Sequence, residues 1–210
     1  MLANVRTGIF GGTFDPIHIA HLHAGETALH AADLDRVLFM PAGEPWQKGD
    51  RSLTSAADRL EMTRLAIEGV DGFEIDDREI DRDGPTYTID TLHTFPAEEE
   101  LFLILGADAA VGLPTWHRWE AVVQRAGVLV VPRPGTPLNL ILETMPTAKV
   151  LDMAALDISS TAIRTMAAQG RPFRFLVPPT VHRLIEGNGL YTQTGSGDRV
   201  GVANEQEESP

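Results

Sequence analysis

The chain has 210 residues, enough for one α/β domain with a well-buried core. Hydrophobic residues make up 43% and charged residues 22%, ordinary globular usage that excludes wholesale disorder. A net charge of −13 excludes broad electrostatic capture of nucleic acid, and the absence of cysteine excludes disulfides, thiolate chemistry and cysteine zinc sites.

The opening stretch MLANVRTGIFGGTFDP lacks the extended apolar region and cleavage site of a secretory signal. The longest apolar runs, such as LFLIL at 101–105, are far too short to span a bilayer. The expectation is a cytoplasmic protein with no membrane or nucleic-acid partner; a homo-oligomer is left open.

In chain order, the first strand is predicted over Val5–Phe10 and a helix over Ile19–Ala32. Strand Arg36–Met40 is followed by helix Ser55–Glu68, whose apolar residues are Leu60, Met62, Ala66 and Ile67. Its charges are Asp58, Arg59, Glu61 and Arg64, the pattern of an amphipathic helix covering one sheet face. Strand Phe73–Ile75, helix Thr88–Phe95, strand Leu101–Gly106 and helix Trp119–Arg125 come next. Strands Val128–Pro132 and Val150–Met153 complete the sheet, and helices Thr161–Gln169 and Pro179–Glu186 form a short C-terminal helical region. Short apolar strands alternating with helices predict an α/β fold with a doubly wound parallel sheet and helices on both faces. Sites in such sheets lie at the carboxyl ends of the strands. The domain is expected over residues 1–191. The remainder, 192–210, has no periodic apolar pattern and is expected to be a disordered tail.

Two constellations stand out. The first strand runs into Gly11-Gly12-Thr13-Phe14-Asp15-Pro16, then His18 and His21 enter a helix. Paired glycines let backbone amides approach a ligand, and two imidazoles three apart share a helix face at its positive end. That chemistry suits a phosphate, although a glycine turn with two surface histidines has the same sequence. The string is neither a P-loop nor a GxGxxG fingerprint. His23 lies close enough to raise a histidine metal site, but no carboxylate completes it. The second constellation is Ile158-Ser159-Ser160-Thr161-Ala162-Ile163-Arg164, a hydroxyl-rich helix start with an arginine four residues after Ser160. Read alone it is an anion cradle or an ordinary capped helix with a surface arginine.

GGTFDPIHIAHL resembles the signature of the bacterial nicotinate-nucleotide adenylyltransferase family, within the HxGH nucleotidyltransferase superfamily. The resemblance extends over about Arg6 to Thr192. It implies a Rossmann-like fold and adenylyl transfer from ATP to nicotinate mononucleotide, in NAD biosynthesis, by in-line displacement without a covalent intermediate. By the same resemblance ISSTAIR is the segment that meets the β and γ phosphates. Gly84-Pro85-Thr86-Tyr87-Thr88 and Leu113-Pro114-Thr115-Trp116 are similar to the family's pyridine-site segments.

The implied catalytic residues are His18, His21, Lys48 and Arg164, the histidines on the α-phosphate and Arg164 with Ser160 on the departing phosphates. The implied ATP site comprises Gly11, Gly12, Thr13, Phe14, Gly106, Asp108, Arg133, Ile158, Ser159, Ser160 and Arg164. Asp108 is expected on the ribose and Arg133 on the adenosine side. Thr86, Tyr87, Trp116 and Lys48 are implied for nicotinate mononucleotide, with Trp116 stacking on the pyridine ring and Thr86 receiving its carboxylate. Mg2+ is expected with ATP, held by phosphate oxygens and water rather than by protein ligands. Two positions depart from the pattern. Ala20 replaces the HxGH glycine, adding a methyl where base or ribose is approached, and Ala42 stands where many relatives have asparagine. The rivals are another superfamily member, such as a pantetheine-phosphate adenylyltransferase or a cytidylyltransferase, and a non-catalytic nucleotide-binding regulator.

Overall fold

The computed structural model describes residues 4–43, 53–82 and 87–192. Six strands form one parallel sheet: β1 (Arg6–Gly12), β2 (Arg36–Pro41), β3 (Phe73–Ile75), β4 (Glu100–Gly106), β5 (Ala126–Val131) and β6 (Lys149–Val150). Their spatial order is β3-β2-β1-β4-β5-β6, with every neighbouring pair parallel. The connections carry α1 (Ile19–Ala31), α2 (Ala56–Ile67), α3 (Thr88–Leu92), α4 (Ala107–Gly112), α5 (Trp119–Arg125) and α6 (Leu138–Thr144). A turn of 3-10 helix, Leu113–Thr115, follows α4, and α7 (Ser160–Ala168) and α8 (Pro179–Gly187) follow the sheet.

The period-2 pleat divides the strand residues between two cores. Phe10, Val37, Phe39, Ile104 and Leu129 face one side, with Ala24, Met62, Ile163 and Val181 packed among them. Their neighbours Ile9, Leu38, Leu103 and Val128 face the other, with Ile89, Ala110, Val122 and Ile141. Burial on both faces explains why the strands read as continuous apolar runs rather than alternating ones. Among the described residues, no helix is long and apolar enough to cross a membrane.

The doubly wound expectation is met, and the predicted strand Phe73–Ile75 and helix Trp119–Arg125 have the observed bounds. Three differences have physical causes. Helices α4 and α6 were not expected, because α4 buries only Ala107 and Ala110 and α6 only Ile141, too few apolar positions to set a helical period. The last strand stops at Val150 rather than Met153, because β6 pairs on one side only and its ladder with β5 ends there. The expected charged face of α2 is also wrong at Arg59, which is 1% exposed.

The strand order reverses at β1. β2 and β3 continue one way and β4 to β6 the other, so the connections leaving β1 and β4 part on opposite faces and open a crevice.

Candidate active site

The floor of the crevice is the end of β1. A Cβ at Gly11 would meet nothing within 4 Å, whereas one at Gly12 would come to 3.0 Å from the Phe14 ring. Gly11 therefore opens to the crevice, and Gly12 is glycine because Phe14 folds back on it. Phe14 takes φ 47°, a left-handed conformation that costs a non-glycine residue energy. Its ring is buried and lies edge-on to Phe10 at 5.7 Å and to His21 at 5.1 Å. The ring belongs to the core, and what Phe14 presents toward the crevice is backbone.

His18 is the extended N-cap of α1, and its backbone N–H donates to His21 Nδ1 at 3.2 Å. In a neutral His21 that bond leaves the ring proton on Nε2. The two rings are stacked, centroids 3.6 Å apart and planes 18° from parallel. His18 is 1% exposed, and neither of its ring nitrogens has a hydrogen-bond partner among the described residues. Burial first, and the charge of Arg133 second, push its pKa down from 6.5 to about 4. A buried imidazole with unused nitrogens costs about 1–3 kcal/mol, which suits a group that meets a ligand.

ISSTAIR forms the start of α7 and lies against the loop after β1. Ser159 is the N-cap and accepts from the Ala162 N–H at 3.2 Å. Ile158 precedes it and packs on the core. Ser160 Oγ donates to the Pro16 carbonyl at 2.9 Å. Arg164 Nη1 donates to the Asp15 carbonyl at 2.5 Å, and its Nη2 to Thr161 Oγ1 at 3.1 Å. The two constellations are thus fastened together although about 150 residues separate them in sequence.

Across the crevice, Gly106 is the N-cap of α4, with open space where a Cβ would stand. Asp108 in the first turn pairs with Arg133 after β5, 2.9 Å apart, and accepts from Thr136 Oγ1 at 2.9 Å. Three predicted residues therefore meet at the ends of β4 and β5. Between β1 and β4 lies a cleft of about 260 Å³ reached by Gly11, Gly106, Tyr87 and Trp116. Tyr87 packs against His117 with ring centroids 4.5 Å apart. Lys48 and Thr86 lie outside the described residues.

Sequence reasoning missed several residues. Arg59 donates to the carbonyls of Thr54 (3.1 Å), Thr13 (2.9 Å), Ala42 (2.6 Å) and Gly43 (2.8 Å). It thereby ties the ends of β1 and β2 to the start of α2. A signal existed: residues 59, 62, 63, 66 and 67 are the buried stripe of α2, so Arg59 occupies a core-facing position. Ala42 also acts through its backbone, its N–H donating to the Gly12 carbonyl at 2.8 Å. Glu79 lines the cleft and accepts from Thr91 Oγ1 at 2.9 Å; burial raises its pKa against that bond and against Arg82. Asp15 is buried and accepts from the Tyr191 hydroxyl at 2.7 Å. No cluster of three His, Asp or Glu able to hold a metal occurs among the described residues.

The site thus combines a stacked imidazole pair, the starts of α1, α4 and α7, and an aromatic cleft at the carboxyl ends of the strands. The cytidylyltransferase-like family profile matches residues 9–166. A Pseudomonas entomophila protein is 42% identical over 212 aligned positions, covering 90% of this chain and 96% of its own. One from Desulfitobacterium hafniense is 41% identical, covering 89% and 95%; both carry the name "Probable nicotinate-nucleotide adenylyltransferase". Among solved structures, the Plasmodium falciparum nicotinic acid mononucleotide adenylyltransferase complexed with NaAD superposes with a TM-score of 0.74 at 20% identity. It covers 90% of this chain and 98% of its own, a likeness of fold. The chain belongs to the cytidylyltransferase-like family and, within it, to the nicotinate-nucleotide adenylyltransferases.

Proposed function

We propose that this protein transfers AMP from ATP to nicotinate mononucleotide, releasing pyrophosphate and forming nicotinate adenine dinucleotide. The observation that carries the reading is that one crevice holds two unlike halves. Its floor presents Gly11 and the stacked His18–His21 pair, and its neighbouring cleft is walled by Tyr87 and Trp116. The first suits the phosphates of ATP, the second a flat heteroaromatic acceptor.

The nucleophile is a phosphate oxygen of the mononucleotide, largely ionised at pH 7 because a phosphate monoester has its second pKa near 6. Its lone pair forms the bond to the α-phosphorus of ATP. The bond from that phosphorus to the bridging oxygen breaks, and the electron pair leaves with pyrophosphate. No general base or covalent intermediate is needed; the work is bringing two anions together and stabilising charge. His21, with Nε2–H set as donor by the His18 backbone, and His18 serve the α-phosphate and bridging oxygen. Arg164 and the start of α7 receive the departing phosphates, and Lys48 adds a cation there. Asp108 and Arg133 serve the ribose and adenosine side. Trp116, Tyr87 and Thr86 hold the pyridine and its carboxylate.

Magnesium would come with ATP, and phosphate oxygens and water would hold it, with imidazoles, amides and guanidinium as the protein's donors to the phosphates. It neutralises phosphate charge when bound. The domain proper is assigned to residues 1–191, and a cytoplasmic location fits an enzyme drawing on ATP.

The test is pyrophosphate release from ATP with nicotinate mononucleotide, nicotinamide mononucleotide and phosphopantetheine as acceptors. Turnover with nicotinate mononucleotide above the other two is expected. Turnover with phosphopantetheine alone would transfer the protein to another branch of the superfamily, and ATP binding without turnover would make it a regulator.

A further inference from the structure

The loop between β1 and α1 is held from outside itself. Arg59 of α2 takes the Thr13 carbonyl, Arg164 of α7 takes the Asp15 carbonyl, and Ser160 takes the Pro16 carbonyl. The fourth fastening concerns the Asp15 side chain, which is 3% exposed. Its Oδ1 accepts from the Tyr191 hydroxyl at 2.7 Å, just beyond α8. Its Oδ2 lies 3.9 Å from Arg164 Nη1, too far for a hydrogen bond. The same Nη1 is already engaged by the Asp15 carbonyl at 2.5 Å.

A buried carboxylate demands donors, and two guanidinium groups bear on Asp15: Arg59, whose N–H groups are spent on four backbone carbonyls, and Arg164, whose Nη1 lies beside the carboxylate. Tyr191 supplies a neutral one in its place. Burial and the adjoining carboxylate both push the Tyr191 phenol above its usual range, so its hydroxyl stays protonated and remains a donor.

We infer that Tyr191 is a positioning residue for the reaction: by satisfying Asp15, it keeps the Arg164 guanidinium from closing onto the Asp15 carboxylate. The inference rests on the reading that Arg164 meets the phosphates of ATP. Without the Tyr191 hydroxyl, Asp15 draws Arg164 into a full ion pair and the phosphates lose their arginine. Removing the carboxylate's charge as well takes away the competitor.

The experiment measures steady-state constants for ATP and nicotinate mononucleotide, with melting midpoints, for wild type, Tyr191→Phe, Asp15→Asn with Tyr191→Phe, and Arg164→Lys. Tyr191→Phe is expected to raise KM for ATP at least fivefold and leave KM for the mononucleotide within twofold. The double variant is expected to recover most of that loss. A merely structural role for Tyr191 predicts further loss in the double variant instead, and that result overturns the inference. It is equally overturned by an unchanged KM for ATP in Tyr191→Phe, or by collapse of both proteins to the unfolded state. Arg164→Lys separates the two levels. If it leaves KM for ATP unchanged, the phosphate role of Arg164 fails; if it raises KM while Tyr191→Phe does not, only the positioning role fails.

Discussion

The imidazoles of His18 and His21 lie face to face, 3.6 Å between centroids, at the positive end of α1. Two imidazolium charges at that spacing would repel by about 5 kcal/mol at an effective dielectric of about 20. The two rings are therefore not both cations, and the buried ring of His18 is neutral at pH 7. NMR titration should give His18 an apparent pKa below 5; a value near 6.5 contradicts the assignment. His21→Ala should lower kcat by about 100- to 1,000-fold, as removal of a positioned donor does, while shifting KM for ATP less than threefold.

The same depression makes His18 a source of acid lability. Its folded pKa is about 4 against 6.5 unfolded, so between those values the unfolded chain takes up a proton that the folded chain refuses. Stability is lost as pH falls through that window, by about 3 kcal/mol at pH 4, and His18 contributes no slope above 6.5. Denaturant midpoints from pH 7 to pH 4 should fall more steeply for wild type than for His18→Asn.

Arg59 should behave as a core residue. Arg59→Met keeps the stem but leaves four carbonyls without their donor, for an expected loss of roughly 3–5 kcal/mol. Arg59→Lys keeps the charge but not the planar fork, and should recover only part of it. Urea unfolding decides the matter, and a loss under about 1 kcal/mol for the methionine variant would show the clamp to be incidental.

Trp116 lines the cleft and its packing is shared with the second core. Trp116→Ala should raise KM for nicotinate mononucleotide at least tenfold, about 1.4 kcal/mol, with KM for ATP within twofold. Trp116→Phe should keep most of the affinity. Equal effects on both substrates would place the tryptophan in the scaffold instead.

Glu79 carries the opposite sign from an ion-paired acid. Burial raises its carboxyl pKa above the unfolded value, so its contribution is intact below the unfolded pKa and is lost as pH rises through the folded one. Glu79→Gln keeps an oxygen to accept from Thr91 and should melt higher than wild type at pH 7 to 8. The gap should close toward pH 4; a variant less stable at pH 8 would show that the charge is used.

The frame of this protein was legible because burial on both sheet faces writes itself as short apolar runs such as LFLIL, and because GGTFDP and ISSTAIR are local strings. What stayed hidden was not local. Arg59 reads as a surface charge until the i, i+3, i+4 stripe of its helix is traced through it. Helix α6 escaped because Leu140 and Leu142 are exposed and only Ile141 is buried, so LNLILET has no usable period. The bond from Tyr191 to Asp15 spans 176 positions, and no window of sequence contains both. Ala20 is partly exposed and lies in the first turn of α1, two residues after the His18 N-cap.

The fastening of the β1–α1 loop by residues near 160 and 191 also orders events during synthesis. β1 to β5 emerge from the ribosome well before α7, and their sheet can form from pairings made within the first 131 residues. The donors that fasten Asp15 and Pro16 lie at positions 160, 164 and 191, after every strand of the sheet. A nascent chain arrested before α7 would be a folded sheet with a slack nucleotide end. If this end meets ATP, its fastening follows the sheet that carries it and waits until α7 and Tyr191 have emerged.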